Sequence, residues 1–370
     1  MNARAILRFC AVLAVVSTFS LGCTNPASSS PQTETVVAPT IAVSGSGVAR
    51  SVTLSTTTSG ATIYYTLDGT TPTTSSTVYS SAITVAGYYL SKTINAMAVG
   101  SGTNSTVSTK TVSITPSSAL SLSGTVSTIA SSGFSHPSSI TTDGSYLYVA
   151  DDTANAIYKV SISTGAVSTL ASSGFSGPVG ITTDGSYLYV ADDSANAIYK
   201  VSISTGAVST LASSGFSSPV GITTDGSYLY VADAIANAIY KVSIATGTVS
   251  TLASSGLNSP CGISTDGTFL YVADYGAKAI SKVTILTGTV SSLASSSGFN
   301  GHGPLGLMTD GTNLYVFDSG AELCKVTIST GTVSTFISAL GPSSFPMGIT
   351  TDGTYLYVSD GGSRSVITIK

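Results

Sequence analysis

Tryptophan is absent from this chain of 370 residues, and only 8% of its residues are charged. So few charges exclude the basic patches that nucleic acid or anionic lipid would require. The balance is in fact acidic. Without Arg4 and Arg8, 11 basic residues face 17 acidic ones, a net of −6, and residues 124–370 carry 15 acidic against 8 basic, a net of −7. Two histidines and four cysteines are also few. No Ser-His-Asp or Cys-His set can be picked out by spacing. Cys261 and Cys324 read as small buried apolar side chains, with nothing to bring them together as a disulfide. Long apolar runs are scarce as well. The N-terminal one is too short for a comfortable transmembrane span, and no other is long enough to cross a membrane.

What the chain has in abundance is Ser, Thr, Gly and β-branched residues. Residues 178–215, PVGITTDGSYLYVADDSANAIYKVSISTGAVSTLASSG, read as four short strands separated by three turn signals: DGS, DSAN and STG. One such sheet cannot hide both faces, so it must stack on copies of itself. The copies are present. The Asp-Gly turn recurs at Asp143, Asp184, Asp225, Asp266, Asp310 and Asp352, at spacings of 41, 41, 41, 44 and 42 residues. A period near 40 with four strands per unit is the signature of a β-propeller, and six turns imply six blades.

The last copy stops at Lys370 after its third strand, SVITIK, and lacks a fourth strand of the VSTLA kind. An orphan of that kind, GTVSTIASSG at 124–133, precedes the first full copy. The expectation is that residues 124–131 pair with 364–370, so that both ends share one blade and close the ring. The repeat, P-x-G-I-x-x-D-G-x-x-L-Y-V-A-D followed by N-x-I-Y-K-V, resembles the NHL-repeat propellers over roughly two thirds of the chain. WD-type repeats fit worse, for want of Trp and of a Gly-His opening the unit.

Upstream, residues 1–23, MNARAILRFCAVLAVVSTFSLGC, have a basic start, an apolar run and a small-residue end, as a signal peptide does. Leu21-Gly22-Cys23 resembles a bacterial lipobox, with Ser20 where that motif favours Leu. The resemblance implies lipidation of Cys23 and export to a bacterial cell envelope, on the outer membrane or cell surface. Residues 24–38 are Ser/Pro/Thr-rich and read as a flexible tether. Residues 39–115 alternate at period two. Gly60-Ala61-Thr62-Ile63-Tyr64-Tyr65-Thr66-Leu67-Asp68-Gly69, Thr71-Pro72-Thr73 and Ala96-Met97-Ala98 resemble the small β-sandwich attached to chitobiase-type proteins. Such a domain serves as a spacer, or contacts glycans through exposed aromatics. Residues 116–123 read as a hinge. The fold class expected is all-β: a small Ig-like sandwich ahead of a six-bladed ring.

In each blade, the turn between strands two and three should emerge at the same end as the blade-to-blade loops. An Asp closes every second strand there: Asp151, Asp192, Asp233, Asp274, Asp318 and Asp360. Such an Asp serves its own turn, or lines a rim able to hold Ca²⁺ through oxygens, although no D-x-D-x-D-G loop is present. His136 and His302 fall on the same face. The Lys stripe at 159, 200, 241, 282 and 325 reads as stems packed on the neighbouring blade. Blades four to six depart from the first three: Asn155, Asn196 and Asn237 give way to Lys278, then Glu322, then Arg364. The candidate ligand-binding residues are therefore His136, Asn300, His302, Arg364, Asp274, Asp318 and Asp360. The expected role is a non-enzymatic scaffold for protein or glycan ligands, with no cofactor required. The alternative is a metal-dependent lyase or lactonase-like hydrolase at the channel mouth.

Overall fold

Six antiparallel sheets of four strands each account for the repeats in the computed structural model, which describes residues 35–370 except 88, 89, 116–118, 300 and 342. The signal segment, Cys23, Asn300 and most of the tether lie outside the described residues. Blade two is typical, with strands Pro178–Thr183, Tyr187–Asp192, Ala197–Ser202 and Val208–Ala212 in that spatial order. β-Branched and aromatic residues dominate these runs because a pleated strand accommodates their branching. Turns form where Asp, Gly, Asn and Ser tolerate the required backbone. Blade six takes Pro346–Thr351, Leu356–Asp360 and Ser365–Ile369, and its outer strand is Val126–Ala130 from the front of the ring. The borrowed strand pairs Val126 with Ile369, Thr128 with Ile367 and Ala130 with Val366.

A second observation supports this closure. Where the turn between strands three and four meets the outer strand of the preceding blade, a glycine approaches a carbonyl. A Cβ on Gly206, Gly247, Gly288 or Gly331 would lie 2.0–2.2 Å from the carbonyl oxygen of Leu170, Leu211, Leu252 or Leu293. Gly165 makes the same approach to Ile129, at 2.3 Å, so the borrowed strand stands next to blade one as any outer strand stands next to its neighbour.

The hydrophobic cores lie between blades. Tyr357 and Val366 of blade six pack with Ile140, Leu147 and Val149 of blade one, and equivalent clusters repeat around the ring. Inner strands converge on the axis, which brings the backbones of neighbouring blades close at Gly180 and Gly221. A Cβ on Gly221 would sit 1.9 Å from the carbonyl oxygen of Cys261. Gly221→Ala should therefore cost about 1–3 kcal/mol through overpacking. The urea midpoint reads this, and an unchanged midpoint would contradict the close approach.

The upstream residues form a sandwich of a three-stranded sheet (Thr40–Ser44, Ala49–Ser55, Ile83–Ala86) and a five-stranded sheet built on Leu90–Gly100. Its core includes Val52, Leu54, Val85, Ile94 and Val112. Val36–Lys370 form one compact unit. The sandwich sits on the end of the ring that carries the Asp-Gly turns. Ser91 N–H donates to the Asp225 carbonyl (3.0 Å), and Lys92 Nζ lies 2.7 Å from Asp184 Oδ2, with both side chains buried. A Cβ on Gly185 would lie 2.4 Å from Ala86 N, and this glycine also has φ +90°, so only glycine suits the position. The segment expected to act as a hinge is fastened at its C-terminal part. Leu120 N–H donates to Asp310 Oδ2 (3.0 Å), and Leu120 packs into the core between blades five and six. Among the described residues no helix is long and apolar enough to cross a membrane.

Candidate functional site

The two ends of the ring differ in what they offer. At the end carrying the blade-to-blade loops, the second-strand Asp is a latch. Asp151 accepts N–H bonds from Ser135 (2.7 Å) and His136 (3.0 Å) of the incoming loop and from Ala154 (2.9 Å) of its own turn. The carboxylate thus ties the incoming loop to the turn between strands two and three. This corrects the expected rim for two of the candidates, because Asp274 and Asp360 are 1% exposed and committed inward. Asp274 accepts from Asn258 N–H (2.8 Å) and the Ser281 hydroxyl (3.2 Å). Asp360 accepts from Phe345 N–H (2.7 Å), Gly362 N–H (3.1 Å) and the Ser363 hydroxyl (2.8 Å). Buried carboxylates need such donors, which is why the repeat retains Asp where a free rim would not require it.

The two histidines are held by different turns. His136 Nδ1 is 2.9 Å from Asp152 Oδ1, and a Cβ on Gly361 of blade six would lie 2.6 Å from its Nε2. His302 is exposed and stands over the turn of blade five, where a Cβ on Gly320 would lie 3.1 Å from its Nε2. Arg364 is exposed and has φ +55°, the same left-handed turn position as Asn155, Asn196 and Asn237, each at φ 51°. In blade five that position belongs to Ala321 (φ 61°) and not to Glu322, as the sequence comparison had it, because the shorter turn shifts the count by one. Asp318 differs from the other latches in its bonding: it accepts from Gly320 and Glu322 of its own turn.

The Lys stripe also departs from expectation. Lys159 lies 3.8 Å from the ring centroid of Tyr146, Lys200 3.9 Å from Tyr187 and Lys241 3.8 Å from Tyr228, so each ammonium stacks on a second-strand aromatic of its own blade. Cys261 and Cys324 are both free.

The end carrying the Asp-Gly turns holds the larger concavity. Docking of the sandwich leaves a cleft of about 1020 Å³ between its 65–84 segment and the turns of blades two and three. Tyr65, Tyr187 and Tyr228 line it, with Asp68, Lys200 and a run of Ser and Thr hydroxyls. Tyr228 is 38% exposed. Asp68 Oδ1 accepts from the backbone N–H (3.0 Å) and hydroxyl (2.6 Å) of Thr70. Burial raises its carboxyl, but those bonds and Lys92 outweigh it and hold it below the usual range. Burial lowers the Lys200 ammonium against the pull of Asp184. The central channel, by contrast, has a volume of only about 90 Å³, ringed by one Ile or Leu per blade, with Val48 and Gly87 of the sandwich at its end.

No cleft residue was among the sequence candidates except Tyr65, considered as a glycan contact. The cleft exists only because two domains meet, and periodicity within either one does not encode that meeting. One signal was available. Lys92 is the lone charged residue of the strand LSKTINAMAVG, and a Lys that is buried needs a partner from elsewhere.

The fold and its two ends define a six-bladed propeller with a sandwich seated on one face. Comparison with known proteins agrees. Residues 43–111 match the family described as chitobiase/beta-hexosaminidase C-terminal domain. A Bacteroides thetaiotaomicron protein of unknown function is similar in structure, with TM-score 0.57 and 15% identity over 89% of this chain and 97% of that one. An auxiliary nutrient binding protein from Bacteroides ovatus is similar too, with TM-score 0.56 and 14% identity over 91% of this chain and 98% of that one. A virginiamycin B lyase from Staphylococcus aureus matches with TM-score 0.51 and 18% identity over 64% of this chain and 82% of that one. At these identities the likeness establishes fold. No curated protein matches the chain by sequence.

Proposed function

We propose that the chain is an exported, lipid-anchored envelope protein that binds a saccharide in the cleft between sandwich and ring. The observation that carries the reading is the cleft itself. About 1020 Å³ is ample for an oligosaccharide, and tyrosine faces, hydroxyls, the carboxylate of Asp68 and the ammonium groups of Lys159 and Lys200, beside the buried Lys92–Asp184 pair, are the kinds of group that sugar hydroxyls and C–H faces require. The latches at the opposite end use their carboxylates to hold loops, which leaves that face less suited to the task. A structure of the same fold is that of a nutrient binding protein, so the fold is compatible with binding as its main work. Anchoring through Cys23 and a flexible tether would hold the cleft off the membrane.

The test is a glycan array probed with residues 24–370, followed by titration of any saccharide found. Tyr228→Ala should weaken binding at least about tenfold, from the stacking area lost. Saccharide bound equally well by Tyr228→Ala and Lys200→Ala variants would move the site elsewhere. Retention of a protein from envelope extracts with no saccharide bound would replace the glycan reading with a protein-docking one.

A further inference from the structure

Blade five breaks the latch pattern. In the other five blades the incoming loop donates a backbone N–H to the second-strand Asp: Ser135, Ser176, Ser217, Asn258 and Phe345 donate at 2.7–2.8 Å. Here the loop carries a short 3₁₀ turn, Ser296–Phe299, and His302 N–H donates to the Phe299 carbonyl instead (2.8 Å). Gly303 N–H turns to the Ser319 hydroxyl (3.3 Å). Among the described residues, Asp318 receives only its own turn, Gly320 N–H and Glu322 N–H, both at 3.0 Å and both on Oδ1. Its Oδ2 is buried with no hydrogen-bond partner among them, and the residue is 0% exposed. A buried carboxylate oxygen without a donor is costly and calls for a ligand.

The residues beside it supply the rest of a site. Cys324 occupies the third-strand position held by Tyr158, Tyr199 and Tyr240 in blades one to three, each opposite a second-strand Val. The exchange of a large ring for a thiol puts a sulfur donor next to the carboxylate, fully buried against Phe299, Leu307 and Val316. A carboxylate oxygen of Asp318, one of Glu322 and Sγ of Cys324 all lie within 4.8 Å of one another. Tetrahedral zinc holds its donors about 3.3–3.8 Å apart, a contraction that side-chain rotation supplies. The exposed His302 stands over the same turn: a Cβ on Gly320 would lie 3.1 Å from its Nε2 and 3.3 Å from Asp318 Oδ1.

We propose that Asp318, Glu322 and Cys324, with His302 as the fourth donor, form a binding site for a thiophilic divalent cation of the zinc class. The thiolate sets the class. Ca²⁺ and Mg²⁺ take oxygen donors, whereas a set mixing sulfur, carboxylate and imidazole suits zinc or cobalt. Binding releases the thiol proton to solvent and leaves the metal's oxidation state unchanged. The site lies at the opposite end of the ring from the cleft, so it stands or falls independently of saccharide binding.

Chelator-stripped protein titrated with Co²⁺ tests this. One equivalent should give a near-ultraviolet thiolate-to-cobalt charge-transfer band, which Zn²⁺ displaces and Ca²⁺ does not. Cys324→Ser should abolish the band while Cys261→Ser keeps it, and Asp318→Asn should weaken Zn²⁺ binding at least about tenfold. A wild-type protein with no band overturns the proposal without recourse to any variant. So does a band that survives Cys324→Ser, which would place the thiolate at another cysteine. Unchanged Zn²⁺ affinity in Asp318→Asn would do the same.

Discussion

Replacing Val126–Ala130 with a Gly/Ser stretch of the same length should lower the free energy of unfolding by about 3–6 kcal/mol. The strand covers the edge of blade six, pairing with Ser365–Ile369 along its length. Its loss uncovers Val366, Ile367 and Ile369, now at most 6% exposed. Fully burying an aliphatic side chain contributes about 1.5–3 kcal/mol, and the replacement exposes part of each of the three. Where the weakened strand detaches, the turn of blade one at Gly165 also loses the residue-129 carbonyl against which it is fitted. The exposed edge invites pairing between molecules, so light scattering should rise as stability falls. A variant that unfolds at the wild-type denaturant midpoint would contradict ring closure through this strand.

The second large effect is expected at Lys92. Its ammonium and the Asp184 carboxylate form a buried pair at 2.7 Å, with side chains 5% and 1% exposed. Lys92→Met strands the carboxylate beneath the sandwich, and breaking a buried pair in this way costs about 3–5 kcal/mol. Asp184 also accepts from the Tyr189 hydroxyl (2.8 Å) and from Ser186 and Tyr187 N–H, both at 2.9 Å, so it cannot move to water without opening its turn. Adding Asp184→Asn should recover most of the loss, because the uncompensated charge goes with it.

The pair has a definite pH signature. Burial raises the Asp184 carboxyl, but Lys92 and the N–H donors outweigh that and hold it below its ordinary 3.8. A carboxyl lowered in the folded state contributes stability that is present above the unfolded value of about 3.9 and is lost as pH falls through the folded one. Without Lys92, burial raises the Asp184 carboxyl of the variant, so the difference between wild type and Lys92→Met should be largest near neutral pH and shrink steadily as pH falls and Asp184 becomes protonated. Asp274 and Asp318 have the opposite sign. Burial raises both, so they favour the folded state in acid, and this contribution falls as pH rises through their raised values. Comparing wild type with the Lys92 variant cancels them.

Much of the ring was readable in advance because its physics is local and repeated. Six Asp-Gly turns mark the strand changes, and the unmatched VSTIA segment marks the closure. The split of turns between two ends follows from strand direction alone. Reading failed where a side chain answers to something outside its own repeat. Asp274 and Asp360 allow two readings, a brace for their own turn or a rim ligand; the first is the one the structure shows, and the incoming loops, which the repeat does not reveal, add their own N–H donors. The lysines were read as packing across blades, whereas Tyr146, Tyr187 and Tyr228 draw them onto their own sheets. Residues 116–123 read as a hinge, whereas Leu120 and Leu122 within them pack between blades five and six. The cleft was not legible at all, since it depends on where the sandwich docks. The blade-five peculiarity could have been seen in the series Tyr158, Tyr199, Tyr240, Ser281, Cys324, where a ring gives way to a small side chain, and in blade five to a thiol, beside a constant Asp.

Residue-level hydrogen exchange on the intact chain bears most directly on the docked sandwich, from which the cleft follows. The amides of Ala86 and Ser91 donate to the carbonyls of Asp184 and Asp225 in the ring. Their protection should match that of the ring's second strands and collapse in Lys92→Met. Fast exchange at both positions, with the ring still protected, would mean a sandwich that swings free and a cleft that does not persist.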